Sequence, residues 1–261
     1  PQDRVDQIRV NLERWRWLPG NLGDRHIRVN IADYRLEAHE HNDKARTHDV
    51  IVGRNYRKTP VFSGNMTYCI LNPWWETPSR LARLDKLPDF QKSPGAVDKL
   101  GFQVLDKNGN IVNTSEIDWR KYSSANFPFR LRQRPGPHNA LGRIKFMLPN
   151  KHDVYLHDTP TRELFDKTRR NFSSGCIRVK DPVDLAEWTF QANHDWPRDR
   201  IEQVIESGKE TRVTLKQPVQ THILYWTAVS DDENNDIRFI EDVYDRDPPV
   251  LRALNTKATH P

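Results

Sequence analysis

A break in apolar rhythm constrains this chain most. From His26 the apolar residues recur every second position: Ile27, Val29 and Ile31, then Tyr34, Leu36 and Ala38, with residues 47–53 (THDVIVG) as a third run. Alternation of that kind marks half-buried strands. It resumes in 141–148 (LGRIKFML) and 153–157 (DVYLH), and again in TRVTLKQ, VQTHILYWTAV and DIRFIEDVY after residue 210. Residues 54–140 lie between, weakly periodic and carrying eight of the 18 prolines, the Trp74-Trp75 pair and one hairpin, FQVLDKNGNIVN, turning at Asn108-Gly109. A stretch that long is a functional lid or a disordered loop, and its aromatic residues and hairpin favour the ordered lid. The class read from this pattern is mainly β with peripheral helices.

The helical segments are few. Val5, Ile8, Leu12 and Trp15 share one face of a helix ended by Pro19-Gly20, so that face is expected to dock on the body. Thr159-Pro160 opens a short turn through Leu164 and Phe165; 182–193 and 198–207 read as two helices, and PPVLRALN as a closing one. Four regions follow: 1–53 with the first helix and strands, 54–140 as the inserted lid, 141–229 as the core, and 230–261 as a strand and tail packing on it.

Composition excludes several functions. The 261 residues hold 41 Lys+Arg against 36 Asp+Glu, interleaved rather than concentrated, so no nucleic-acid stripe is present. No apolar run approaches the roughly 18–20 residues of a membrane span. Eight Trp, seven Tyr and ten Phe argue against global disorder. The sequence opens PQDRVDQIRV, without Met or secretory signal, and is read as part of a longer protein. There is no P-loop, dinucleotide fingerprint or H-E-x-x-H. His39, His41 and His48 lack a third ligand at diagnostic spacing, so no metal is assigned.

One segment carries chemistry: YLHDTPTRELFDKTRRNFSSGCIRV, residues 155–179. His157 ends an apolar strand, and Cys176 follows Ser173, Ser174 and Gly175. A thiol needs a base to become a nucleophile, and His157 within reach would take its proton and return it to a leaving amine. Gly175, lacking Cβ, lets backbone N–H groups turn inward as an oxyanion site. Arg178 alternates to the same side and suits a substrate carboxylate. Taken alone, a Cys/His pair is a weak signal and reads more often as a small buried thiol and a satisfied core histidine. Cys69, within the apolar run MTYCILN, is assigned a structural role.

The spacing His-x15-Ser-Ser-Gly-Cys-Ile-Arg resembles the signature of the L,D-transpeptidases, the YkuD-type catalytic domain. Ser174 stands where most members have His, as in the large periplasmic YcbB-like subgroup. VNLERWRWLP, RVNIADYRL, NPWWETP, RQRPGPHNALGRIKFMLPN and YLHDTP are similar to that subgroup too, from residue 10 to about 190. The resemblance implies a β-sandwich with a capping subdomain over its site. It also implies a peptidoglycan enzyme that forms 3→3 cross-links between diaminopimelate residues and releases D-alanine from a tetrapeptide donor. Carried over, Cys176 is the nucleophile and His157 the base, with Asp158 orienting the imidazole through its carbonyl. The N–H groups of Gly175 and Cys176, with Tyr155, form the oxyanion site. Arg178, Ser173, Ser174, Trp74 and Trp75 fall at the substrate. For Tyr155 a packed core role competes; for Trp74, Trp75, Phe127 and Phe129 the alternative is the lid's own core.

The partners implied are donor and acceptor stem peptides, carbapenems as covalent inhibitors and other cell-wall synthesis proteins. No cofactor is implied. The location implied is the periplasm, with an upstream anchor to the inner membrane. A papain-like peptidase has the opposite Cys/His order, and sortases a longer interval. An L,D-carboxypeptidase, a D-amino-acid exchange enzyme, an enzyme attaching stems to protein lysines, or a non-catalytic cell-wall binding module remain as alternatives.

Overall fold

Alternation in the sequence becomes one sheet closed on itself. The structure is a computed structural model and describes residues 2–41, 43–231 and 236–257. Its strands are β1 (Arg25–Asn30), β2 (Arg35–Glu40), β3 (Asp43–Gly53), β4 (Phe62–Leu71), β5 (Trp75–Glu76), β6 (Phe102–Leu105), β7 (Ile111–Val112), β8 (Arg130–Gln133), β9 (Ile144–Met147), β10 (Leu156–His157), β11 (Asn171–Ser173), β12 (Ile177–Val179), β13 (Thr211–Leu224), β14 (Ala228–Asp231) and β15 (Asp236–Phe239). The main sheet runs β11-β3-β12-β10-β9-β4-β13-β1-β2, and β2 pairs again with β3. Strand β3 makes the closure: residues 43–49 face β2, while Val50 and Ile51 pair with β12 and Val52 and Gly53 with β11.

Inside the closed sheet lie Ile27, Val29, Leu36, Val50, Leu71, Phe146, Leu156 and Ile177, all fully buried. Each such side chain contributes about 1.5–3 kcal/mol of burial. The helices Pro182–Thr189 and Arg198–Glu206 add Leu185, Ala186, Trp188 and Ile201 to the same core. Cys69 is completely enclosed there, and burial pushes its thiol far up.

Several expectations need correction. The N-terminal helix Gln2–Arg16 docks only partly through its apolar stripe: Trp15 stacks on Trp226 at 4.3 Å and Ile8 is half-buried, but Val5 and Leu12 stay exposed, and Val10, Asn11 and Arg14 are buried. Polar pairs hold it, with Asn11 and Thr227 exchanging two hydrogen bonds of 2.8 Å and Arg14 on Asp247 of the C-terminal helix Asp247–Lys257. The two runs after residue 210 form one strand, β13, whose register with β4 shifts between Thr214 and Val219. Pro218, which has no N–H to give the ladder, lies in that shift.

Residues 62–71 also depart from the expected lid. They are β4, a strand of the body between β9 and β13. Burial along it changes phase, Met66 and then Cys69 and Leu71, where the register shifts, and this hides the alternation. The cap proper has its own cluster from Trp75 to Leu141, built on Phe90, Phe102, Trp119 and Leu131 and a small sheet β5-β8-β6-β7. The β6–β7 turn is tied by Asp106, whose carboxylate accepts N–H groups from Asn108 and Asn110, both at 2.8 Å.

Candidate active site

Three adjacent strands bring the site together on one face. His157 on β10 stands opposite Lys145 on β9 and Arg178 on β12, and paired residues share a face. Tyr155 and Cys176 each precede that row by two residues, so they point the same way. The intervening Leu156, Ile177 and Phe146 turn into the core. Strand order has thus drawn His157 and Cys176 together although 18 residues separate them in the chain.

The histidine is fixed in one tautomer. Its Nδ1 lies 2.5 Å from the Asp158 carbonyl oxygen, which can only accept, so Nδ1 carries the proton and Nε2 keeps a lone pair. Burial, then the Arg178 charge, pushes the His157 pKa down to about 3 and keeps the ring neutral near pH 7. Asp158 is itself clamped: its carboxylate accepts the Arg143 N–H at 2.8 Å and pairs with Arg162 at 2.8 Å. Gly142 (φ +59°) makes room for that carboxylate, because a Cβ there would stand 2.4 Å from the Asp158 Cγ.

The nucleophile candidate sits at the end of a tight turn and is partly accessible. Burial raises its pKa, opposed by the nearby Tyr155 N–H and hydroxyl and by Lys145, and the thiol donates to the Asp153 carbonyl at 3.8 Å. Tyr155 is also where the two cores meet, since it packs against the body cluster and the cap cluster that holds Trp75. The Tyr155 and His157 rings meet edge to face, 5.7 Å between centroids. Gly175 adopts φ +122°, where an L side chain would be strained. Its carbonyl accepts from Thr59 Oγ1 at 2.9 Å, and Thr59 is held by the Gly53 N–H and by Tyr244.

Other expected residues take different posts. Ser173 does not face the substrate side: its hydroxyl accepts the Gly175 N–H at 3.1 Å and donates to the Cys176 carbonyl at 2.5 Å. That bond also takes the Gly175 N–H away from the oxyanion site. Ser174 is exposed, and its hydroxyl accepts from Arg57 Nη1 at 2.9 Å. Trp75 is buried in the cap core, while Phe127 and Phe129 pack against Tyr122 in that cluster. Trp74 is half-buried, with the Arg132 guanidinium 4.9 Å over its ring. Arg178 gives Nη1 to Thr161 at 3.0 Å, its buried Nε has no partner, and no carboxylate lies within ion-pair distance among the described residues.

The model of the YkuD family, the L,D-transpeptidase catalytic domain, matches residues 24–212, which include every residue of this face. The chain belongs to that family. A Haemophilus influenzae protein named "Putative L,D-transpeptidase" is 35% identical over 251 residues, 95% of this chain and 50% of that protein, so the chain spans half the length of that relative. Among solved structures, Mycobacterium tuberculosis L,D-transpeptidase 1 is 12% identical over 77% of this chain and 61% of its own, with a TM-score of 0.28. The catalytic domain of an Enterococcus faecium L,D-transpeptidase acylated by ertapenem is 12% identical over 75% and 99%, with a TM-score of 0.28.

Three residues of this YkuD domain escape sequence reasoning. Lys145 alternates with apolar neighbours and reads as solvent-facing, yet it is half-buried with its ammonium 4.0 Å over the Tyr155 ring. Thr59 meets the turn at Gly175 only through the fold. Arg57 grips Asp85 of the cap with two hydrogen bonds of 2.6 and 2.9 Å while it also holds Ser174. Among the described residues no group of His, Cys, Asp and Glu could hold a metal; His39 bonds Arg28 and Glu37, and His48 the Lys180 carbonyl. No helix among them is long and apolar enough to cross a membrane.

Proposed function

We propose that this domain is a cysteine L,D-transpeptidase of the YcbB-like subgroup, acting on peptidoglycan stem peptides and forming 3→3 cross-links. The carrying observation is the shared face on which the register of β10 and β12 sets Cys176 beside Tyr155 and the neighbouring His157 keeps an acceptor Nε2. In the first half-reaction the Cys176 proton passes to Nε2 and the sulfur attacks the carbonyl carbon of diaminopimelate in the donor tetrapeptide. The oxyanion accepts from the Cys176 N–H and the Tyr155 hydroxyl. Collapse breaks the bond to D-alanine, whose amine takes the proton from His157, and leaves a thioester. The side-chain amine of a second stem then attacks, gives its proton to His157 and releases the thiolate.

Arg178, half-buried and without a paired carboxylate among the described residues, is assigned a substrate carboxylate, with the exposed Ser174 and half-buried Trp74 as further substrate contacts. The cap excludes water from the thioester, which favours the amine acceptor. Relatives named as bound to imipenem or acylated by ertapenem support carbapenem acylation at Cys176. The same reading places the protein in the periplasm, held to the inner membrane by an upstream segment and working beside other cell-wall synthesis proteins.

Mass spectrometry of a diaminopimelate tetrapeptide muropeptide, incubated with the native domain and with Cys176→Ala, tests this. Cysteine-dependent loss of D-alanine with a cross-linked dimer is expected. Loss to a free tripeptide alone makes the domain a carboxypeptidase, and no reaction, with Cys176 inert to a carbapenem, makes it a binding module.

A further inference from the structure

Lys145 is a charge without an assignment. Strand β9 presents it on the face of His157, in direct register, and its ammonium nitrogen lies 4.0 Å from the centre of the Tyr155 ring. It is half-buried and, among the described residues, pairs with no carboxylate within 4 Å, whereas Arg143 on the same strand connection has Asp158. Desolvating an ammonium without a counter-ion is costly unless negative charge forms beside it. In a thiol acyl-transfer, negative charge forms on the sulfur. Tyr155, beneath the ammonium, runs alongside Cys176 on the neighbouring strand, its carbonyl accepting the Ile177 N–H at 3.1 Å.

We infer that Lys145 supplies the positive charge that stabilises the Cys176 thiolate, acting over the Tyr155 ring, while neutral His157 serves as the proton relay. The inference rests on Cys176 being the nucleophile. It divides two tasks that a thiolate–imidazolium pair would give to one histidine. Lys145 is a positioning residue in this scheme: it acts on the charge of the nucleophile and does not contact the scissile bond.

The surrounding charges are accounted for. From β10 and the loop before it come Tyr155, His157 and Asp153, the last opposing ionisation of the thiol. From β12 comes Arg178, which shares its surroundings with Arg54 and Glu163 and is tied to Thr161. Glu210, ahead of β13, is the one carboxylate whose field reaches Lys145, and its own oxygen holds the Trp74 N–H at 2.8 Å. Burial holds the Lys145 pKa below its ordinary value, and the Cys176 charge acts against that shift.

The test is the rate of Cys176 carboxamidomethylation by iodoacetamide across pH, in the native domain, Lys145→Met and Lys145→Arg, followed by peptide mass spectrometry. Lys145→Met is expected to slow the reaction at pH 7.5 by about tenfold and to raise the midpoint of the profile by about one pH unit. Lys145→Arg restores both to within about threefold of native. A purely structural lysine would change unfolding without moving the midpoint. Cys69, enclosed in the core, reports folding in the same spectra. Should Lys145→Met expose it, Lys145→Gln is the variant read. A midpoint unchanged or lowered in the folded variant overturns the inference alone. Native Cys176 labelling no faster than Cys69 overturns the nucleophile and the inference together.

Discussion

Body and cap are stabilised differently. The body has strands of up to 14 residues and an aliphatic core distributed over the closed sheet. The strands of the cap are two to four residues long. Its cohesion comes from rings meeting edge to face, with Phe90–Phe102 at 5.4 Å and Phe90–Trp119 at 5.1 Å. Such pairs add about 0.5–1.5 kcal/mol beyond burial, so a few side chains carry a large share of a small core. The face that holds Cys176 and His157 belongs to the body, and the cap meets its border through Asp85, which Arg57 joins to Ser174. The candidate site therefore rests on the part that is hard to deform, and its covering can loosen by itself.

Four experiments would break or sharpen that contrast. Cys176→Ala should abolish D-alanine release while hydrogen exchange in both units stays native; melting of either unit would refute a purely chemical role. Phe90→Ala should cost the cap about 3–5 kcal/mol. Its amides should exchange faster while β1, β4 and β13 remain protected, and a single joint transition would show one cooperative unit.

Acid should act first on the body. Between pH 6.5 and about 3 the unfolded chain binds a proton that native His157 refuses, so stability rises with pH there and falls on acidification. The slope approaches about 1.4 kcal/mol per pH unit from this residue, and His157→Gln should flatten it in urea titrations. Glu37, held at about 2 by His39 and then Arg28, adds stability above pH 4.5 that is lost as pH falls toward 2. The smallest effect belongs to Asp85→Asn, which frees Arg57 from the cap. A loss of about 1 kcal/mol is expected, seen as a severalfold rise in KM with kcat near native. An unchanged KM would separate that ion pair from substrate binding.

The contrast also explains what the sequence reveals. Strands β1, β2, β9 and β10 are legible because apolar residues alternate along them with polar ones, even where the polar face is covered, as at His26, His39 and His157. The β6–β7 hairpin is legible because Asp106, Asn108 and Gly109 carry their turn chemistry locally. The pairing of His157 with Cys176 is legible from its spacing, and the Asp158 carbonyl from the resemblance. The short cap helices 79–99 are not, since Pro78, Pro88 and Pro94 interrupt any apolar period. The docking face of the first helix is hidden because Asn11 and Arg14, polar in any sequence pattern, are buried by partners more than 200 residues away. Arg57 meets Asp85 and Ser174, and Lys145 meets the Tyr155 ring, only once distant segments have folded together.

Leu71, where β4 ends, lies directly across the sheet from Ile144, where β9 begins, and the Asn72 N–H bonds the Arg143 carbonyl at 2.8 Å. Everything between departs and returns at one point, so a short hairpin linker joining those two strands would bridge the gap without changing their register. The covering is thus a transplantable module: deletable to leave a bare catalytic sheet, or exchangeable for another of different shape to change which substrates gain entry.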